Sequence, residues 1–269
     1  MRIGIIGAGK LGSALIKGLL SRQDTSLRVI ASARSTRSLE RIKSLGVEVT
    51  HDNKYLVSVS DIVIICVKPS QVGEVADEVS CCGKGKVIIS AVALVPLKWW
   101  EVRFPAGDVK LFRVMPNINV LVGESFTALT AHDGADSFSR SLVEELFKLL
   151  GSTAWVSEEV LDALTLISGC GPAIIAEITD ALVLASLAIG IPQEVAEEAV
   201  LKLIEGSAKS LQEVELTKFR DMVITPRGLT IRLLRRLYKE NFKSTLIESI
   251  ESTYSVLAES KIRMLKDML

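Results

Sequence analysis

The chain has 269 residues, 48% of them hydrophobic, and its 32 basic side chains balance its 32 acidic ones. This balance gives no electrostatic reason to expect binding to nucleic acid or to an anionic membrane. Two histidines and four cysteines, none of them in a C-x-x-C pair, disfavour a zinc site and indicate reduced thiols in a cytoplasmic protein. We therefore expect no metal, and the chain's start on an apolar strand pattern indicates no secretory signal.

The first half of the chain alternates short apolar runs with helix-like stretches. Strands are predicted at 2–6, 28–31, 47–50, 62–67, 86–90, 109–115 and 126–131, and helices at 11–21, 36–45, 54–59, 71–79 and 137–150. Continuous apolar runs are typical of parallel strands that are buried on both faces. Residues 1–155 are thus predicted to form an α/β domain with a doubly wound parallel sheet of the Rossmann type.

The second half lacks strand signals almost entirely. Helices are predicted at 158–166, 173–188, 193–214, 229–239 and 243–269, so that residues 156–269 form an all-helical domain. The stretch 164–191 is apolar enough to suggest a membrane span, but Glu177 and Asp180 lie within it, and charges are costly in lipid. We expect instead a helix that is buried either in the core or at a subunit interface.

A glycine-rich turn connects the first predicted strand to the first helix. It reads G-A-G-K-L-G, with glycines at Gly7, Gly9 and Gly12. In a dinucleotide site the first glycine makes the tight turn, the second lets the backbone approach the pyrophosphate, and the third lets the helix pack closely. The helix start at Lys10 and Leu11 supplies free N–H groups to the phosphates.

The residues at the end of the second strand indicate which of the two nicotinamide dinucleotides binds. NAD-binding sites usually place an acidic residue here, whereas this chain has Ser32, Arg34 and Ser35. Hydroxyl groups and a guanidinium suit the 2′-phosphate of NADP. We therefore expect NADP(H) rather than NAD, although Arg34 also fits the description of a solvent-facing loop residue.

A further strand ends in a polar turn at Cys66, Val67 and Lys68. Ligands of such sheets bind at the carboxyl ends of the strands. Lys68 is expected to reach the phosphates or the nicotinamide ribose, and the alternative is a plain turn between strand and helix.

Four segments in matching order give the chain a resemblance to pyrroline-5-carboxylate reductases. They are V-K-P at 67–69, M-P-N at 115–117, S-G-C-G-P-A at 168–173 and V-I-T-P-R-G-L-T-I at 223–231. That family typically reads V-K-P, M-P-N-T-P, S-G-S-G-P-A-Y and V-x-S-P-G-G-T-T-I. The resemblance extends from residue 1 to about 255.

The resemblance implies NAD(P)H-dependent reduction of the cyclic imine 1-pyrroline-5-carboxylate to L-proline, the last step of proline biosynthesis. It implies a homodimer with interlocked C-terminal helices, with 156–269 serving dimerisation and substrate binding. Thr225, Arg227 and Gly228 fall on the loop that holds the substrate, and Thr230 is placed to hydrogen-bond the ring nitrogen. Asn53 falls near the cofactor's ribose and Ala93 beside the nicotinamide.

Several residues depart from the family pattern. Arg227 and Leu94 each stand where the family has glycine, and Thr225 and Cys170 each replace serine. Arg227 adds charge beside the substrate's carboxylate, and it costs strain if the position requires a positive φ. Cys170 is interpreted as a small buried residue at a helix start rather than as a catalytic thiolate.

Two other functions stay open at this stage. One is a reductase of a related cyclic imine acid, with Arg227 recognising the difference. The other is a catalytically inactive NADP-binding regulatory protein, which would bind NADPH and turn over no cyclic imine. A coenzyme-to-NADP hydride transferase shares the N-terminal glycine pattern, but the segments at 168–173 and 223–231 argue against it.

Overall fold

The structure is a computed structural model that describes residues 1–22, 26–104 and 109–268, with side chains up to 266. Two compact units are present: Met1–Pro172 with Val256–Leu269, and Ala173–Ser255. The predicted domain division at residue 155 stays a prediction. Leu269, the last residue of the predicted C-terminal helix, lies outside the described residues.

The first unit contains one eight-stranded sheet with the order β3-β2-β1-β4-β5-β6-β7-β8. The strands are β1 Arg2–Ile6, β2 Arg28–Ser32, β3 Glu48–Thr50, β4 Ile62–Ile65, β5 Val87–Ser90, β6 Lys110–Met115, β7 Ser125–Ala131 and β8 Gly151–Trp155. Neighbouring strands are parallel except for β6 and β7. The predicted doubly wound, mainly parallel sheet is confirmed.

The reversal between β6 and β7 follows from the connection between them. Residues 116–124 contain only a 3-10 turn at Ile118–Leu121, which is shorter than a parallel crossover requires. Strand β8 was not predicted, because Gly151–Trp155 is short and polar in sequence. It pairs in parallel with β7 after a crossover through a helix.

The helices of the first unit cover both faces of the sheet. They are α1 Lys10–Ser21, α2 Thr36–Lys43, α3 Asn53–Val59, α4 Val72–Ser80, α5 Leu97–Glu101, α6 Ser137–Lys148 and α7 Glu158–Leu164. Ile3 and Ile64 pack with residues of α1 and α6 on one face. Ile6 and Ile65 pack with residues of α3, α4 and α5 on the other. The alternation confirms that the central strands are buried on both sides.

A buried arginine links β6 to α7. Arg113 is 0% exposed and donates to Glu158 Oε1 at 2.8 Å and to Asp162 Oδ1 at 2.5 Å. Lys261 donates to Asp162 Oδ2 at 2.5 Å, and the N–H of Leu97 donates to Glu158 Oε1 at 2.8 Å. Each buried charge therefore has an opposite partner, as a low-dielectric interior requires.

The second unit consists of helices. They are α8 Gly171–Ala188, α9 Gln193–Glu213, α10 Leu216–Met222, α11 Leu229–Lys239 and α12 Phe242–Met268, of which α8 begins and α12 ends in the first unit. A π-helical turn at Thr165–Gly169 joins α7 to α8. The predicted helices are confirmed with ends shifted by a few residues, and the short helix α10 was not predicted.

Helix α8 is largely apolar, and its charged residues are Glu177 and Asp180. Within the described residues, Glu158–Ala188 is long and apolar enough to cross a membrane, with a mean hydropathy of 1.6 in its most apolar window, and none of that window is buried. Leu184 is 56% exposed and Ile175 is 49% exposed. The expectation that this stretch is buried within its own chain is therefore wrong, and the subunit-interface alternative remains.

Candidate active site

A cavity of about 410 Å³ opens at the carboxyl ends of β1, β2 and β4. This is where doubly wound sheets bind their ligands. The predicted cofactor residues that line it are Gly7, Gly9, Ser32, Arg34, Ser35, Asn53, Cys66, Val67 and Lys68. Residues from distant parts of the chain are thus brought together around one space.

The glycine turn has the conformation that its sequence implies. Gly7 has φ of +98°, and a Cβ there would lie 2.8 Å from the carbonyl oxygen of Cys66. The N–H groups of Gly7 and Ala8 donate to the carbonyl of Ser32 at 2.9 and 3.1 Å. A Cβ on Gly12 would lie 2.1 Å from the carbonyl oxygen of Gly7, so only glycine lets α1 approach the turn this closely.

Gly9 differs from the other two glycines, because a Cβ there would meet no atom within 4 Å. The space beside it is open, and α1 begins at Lys10 with Gly9 as its N-cap. The first N–H groups of a helix lack intrahelical acceptors. The open space and these donors fit a pyrophosphate. Lys10, Leu11 and Gly12 lie in this first turn, outside the cavity lining.

Two side chains that the sequence did not single out support the turn. The hydroxyl of Ser13 donates to the carbonyl of Ala8 at 3.1 Å. Arg41, on α2, donates to Ser13 Oγ at 2.9 Å and to the carbonyl of Ala8 at 3.3 Å. The bonds of Arg41 thus tie the turn to a helix that is distant in sequence.

A chain of hydrogen bonds lies at the end of the cavity where the ribose is predicted to bind. Ser32 Oγ donates to Asn53 Oδ1 at 2.5 Å, and Asn53 Nδ2 donates to Glu78 Oε2 at 2.6 Å. Arg34 forms an ion pair with Glu74, and His51 Nδ1 lies 3.0 Å from the carbonyl of Ala33. His51, Glu74 and Glu78 were not among the predicted site residues, because their relation to the site exists only in three dimensions.

The charge of the cavity lining fits a phosphorylated ligand. Arg34 and Lys68 contribute positive charge, and the lining residues in the described part of the chain include no aspartate or glutamate. Lys68 caps the 3-10 turn Pro69–Gln71, with its N–H directed at Gln71 Oε1 at 3.4 Å. Burial raises the pKa of the Cys66 thiol to about 12, so this side chain is a neutral part of the cavity wall.

Two of the quoted segments meet in the first unit. Asn117 Nδ2 donates to Ser168 Oγ at 3.0 Å, and Ser168 Oγ donates to the carbonyl of Phe126 at 3.1 Å. Ala93 lies after β5 and packs with Met115 in a small apolar cluster, outside the cavity lining. Cys170 is exposed, so its predicted burial is wrong for the single chain, where the π-helical turn presents it outward.

The predicted substrate loop lies in the second unit. The N–H of Gly228 donates to the carbonyl of Thr225 at 3.0 Å, and a Cβ on Gly228 would lie 2.2 Å from Thr225 Oγ1. Gly228 caps α11, and the first turn of that helix, which includes Thr230, has no acidic residue. The turn therefore presents free N–H groups without a competing carboxylate.

The two departures from glycine in the family pattern both have left-handed backbones. Arg227 has φ of +63° and Leu94 has φ of +71°, and the other non-glycine residue with positive φ in the described ranges is Asn241. Asparagine tolerates this region, whereas arginine and leucine are strained in it.

No group of three or more metal-ligating side chains comes together within the described residues.

Comparison with known proteins identifies both halves of the chain. Residues 158–260 match the family model described as pyrroline-5-carboxylate reductase dimerisation, and residues 2–94 match that of the coenzyme F420-dependent NADP oxidoreductases. The pyrroline-5-carboxylate reductase of Aquifex aeolicus is 33% identical over 255 residues, which are 94% of this chain and 95% of the relative.

Solved structures agree with these matches. The pyrroline carboxylate reductase of Plasmodium falciparum with NADP bound superposes with a TM-score of 0.87 at 25% identity, covering 98% of each chain. The 1-pyrroline-5-carboxylate reductase of Streptococcus pyogenes superposes with a TM-score of 0.85 at 32% identity, covering 96% of this chain and 98% of that one.

Proposed function

The chain belongs to the pyrroline-5-carboxylate reductase family, and we propose on this basis that it reduces 1-pyrroline-5-carboxylate to L-proline with NADPH. The similarity to named reductases along nearly the whole chain carries the proposal. It covers both the nucleotide cavity and the substrate loop, so it extends beyond a shared Rossmann domain. The functional division is proposed at the predicted boundary, with 1–155 binding the cofactor and 156–269 serving dimerisation and substrate binding.

The proposed cofactor residues form three groups, and each group binds a different part of the dinucleotide. Gly7, Gly9 and the first turn of α1 at Lys10, Leu11 and Gly12 hold the pyrophosphate. The ribose and its 2′-phosphate lie by Ser32, Arg34, Ser35 and Asn53, and Lys68, Cys66, Val67 and Ala93 follow towards the nicotinamide. When bound, the cofactor supplies the hydride.

The protein's own task is to bind and orient the imine. The turn from Thr225 to Gly228 and the N–H groups at the start of α11 bind the substrate's carboxylate, which the positive end of a helix favours. Thr230 Oγ1 accepts a hydrogen bond from the ring nitrogen, and the imine enters already protonated. No side chain is required as a strong acid, and catalysis rests on holding the imine carbon in reach of the hydride.

The apolar surface of α8 gives the proposed assembly a physical basis. An exposed surface of this kind is unstable in water and is covered when two copies associate. The match to a dimerisation domain over 158–260 supports a homo-oligomer, and the proposed form is a homodimer with interlocked C-terminal helices in the cytoplasm. A covered α8 accounts for its hydropathy without a membrane.

The decisive experiment measures NADPH oxidation with 1-pyrroline-5-carboxylate and with six-membered cyclic imine acids in parallel. Turnover of the five-membered imine is expected to be the fastest. Faster turnover of another imine acid would reassign the substrate, and absence of turnover with intact NADPH binding would favour the regulatory alternative. Arg227→Gly tests whether the guanidinium contacts the substrate. An unchanged order of turnover rates among the imines would show that it does not.

Thr230→Ala tests the catalytic assignment. Loss of one hydrogen bond to a charged group is expected to lower kcat/KM about 10-fold or more, while the Kd for NADPH stays within about twofold. Thr217→Ala is the matched control, because Thr217 is an exposed threonine at the start of another helix of the same unit. Equal turnover in the two variants would remove Thr230 from the site.

A further inference from the structure

Two of the three carboxylates of helix α4, Glu74 and Glu78, lie one turn apart and bind residues of the cofactor cavity. Glu74 pairs with Arg34, and Glu78 accepts a hydrogen bond from Asn53. Arg34 and Asn53 are lining residues of the cavity, whereas Glu74 and Glu78 are not. The carboxylates thus hold the side chains that face the ribose end.

The Arg34–Glu74 pair connects two segments of the cavity wall. Arg34 lies in the loop between β2 and α2, and Glu74 lies in the first turn of α4, between the lining residues Gln71 and Val75. The helix dipole stabilises a carboxylate at this position. The two side chains are 59% and 63% exposed, so water and salt weaken the pair. A stronger anion can therefore displace Glu74 at modest cost.

We propose that Glu74 competes with the 2′-phosphate of NADPH for Arg34 and thereby limits the preference for NADPH over NADH. The inference rests on the proposed function. A phosphate dianion offers the guanidinium two strong acceptor oxygens, and it outcompetes a single carboxylate. NADH has a hydroxyl group at this position, so it binds without breaking the Arg34–Glu74 pair.

The test measures binding by calorimetry without any imine. Glu74→Gln keeps the side chain's size and removes its charge, and it is expected to lower the Kd for NADPH about two- to fivefold. The Kd for NADH is expected to stay within error. The fragments 2′,5′-ADP and 5′-AMP should repeat the difference, because they carry only the adenine end of each cofactor.

Two further variants separate competition for Arg34 from a general change of charge. Asp77→Asn removes the same charge from an exposed position of α4, and it is expected to change neither Kd by more than a small fraction of the Glu74 effect. In an Arg34→Gln background, Glu74→Gln is expected to change the NADPH affinity less than twofold, since the coupled partner is gone.

Three results would overturn the inference: an equal gain for NADPH and NADH, the same gain from Asp77→Asn, or a gain that persists without Arg34. Wild-type protein that binds NADPH while Glu74→Gln binds it no better overturns this inference alone. Wild-type protein that binds neither cofactor overturns the proposed function as well, so the two failures are distinguishable.

Discussion

Gly9 and Gly12 lie three residues apart, yet the structure predicts different consequences for the same substitution. In Gly12→Ala the new methyl carbon would lie 2.1 Å from the carbonyl oxygen of Gly7, a backbone atom that cannot rotate away. Overpacking costs about 1–3 kcal/mol, and a contact this close with a backbone atom belongs to the upper part of that range, about 2–3 kcal/mol. The better helix propensity of alanine offsets about 1 kcal/mol of it. A net loss of about 1–2 kcal/mol is expected.

In Gly9→Ala the methyl carbon would meet no atom within 4 Å, and the φ of −74° is open to any residue. The loss at an N-cap and the gain from a stiffer unfolded chain are each about 0.5–1 kcal/mol and nearly cancel. The methyl group nevertheless enters the space proposed for the pyrophosphate. A loss of cofactor affinity of about tenfold, or about 1.4 kcal/mol, is expected without a loss of stability.

Calorimetry at one fixed protein concentration measures both quantities, with NADPH titrations at 25 °C alongside thermal scans. Gly12→Ala is expected to lower Tm by about 2–8 °C and to weaken NADPH binding, because the displaced Gly7 belongs to the turn. Gly9→Ala is expected to keep Tm within about 1–2 °C of the wild type. Wild-type affinity in Gly9→Ala, or a wild-type Tm in Gly12→Ala, would refute the assignment of one glycine to ligand access and the other to packing.

Three further outcomes follow from other parts of the structure. Arg113→Met leaves Asp162 and Glu158 without their buried cation, so the free energy of unfolding should fall by about 3–5 kcal/mol in denaturant titrations. The control is Arg220→Met, which removes an exposed arginine paired with Asp221. Equal losses in the two variants would show that the buried ion pairs contribute no more than an exposed one. Arg227→Gly relieves about 1–2 kcal/mol of left-handed backbone strain, and the greater entropy of the unfolded chain costs about 0.5–1 kcal/mol. The Tm should therefore stay level or rise. A clear fall in Tm would show that the contacts of the arginine outweigh its strain. The pKa of Cys66 is raised to about 12, so its thiolate is scarce at pH 8, and mass spectrometry should find maleimide on the exposed Cys81 well before Cys66. Equally fast labelling of Cys66 would contradict its raised pKa.

The sequence by itself determined the features whose causes are local. Gly7 needs glycine for its positive φ and Gly12 for its contact with the carbonyl oxygen of Gly7, and short continuous apolar runs between helical stretches predict buried parallel strands. The order of the longer strands and helices was therefore readable before any contact was known, whereas the short helices α5 and α10 were missed. Strand β8 was missed because its five residues, Gly151–Trp155, carry no apolar run, and its pairing with β7 is what makes it a strand.

Only the tertiary structure decided which partners the polar side chains have. Glu74 and Arg34 are 40 residues apart, and Arg113 and Asp162 are 49 apart; nothing in their local sequence indicates either pair. A charged side chain takes its energy from whatever the fold places beside it. The residue types around Gly7–Gly12 thus predicted a dinucleotide site. Only the position of α4 beside the loop after β2 determined that Arg34 pairs with Glu74 when no phosphate is bound.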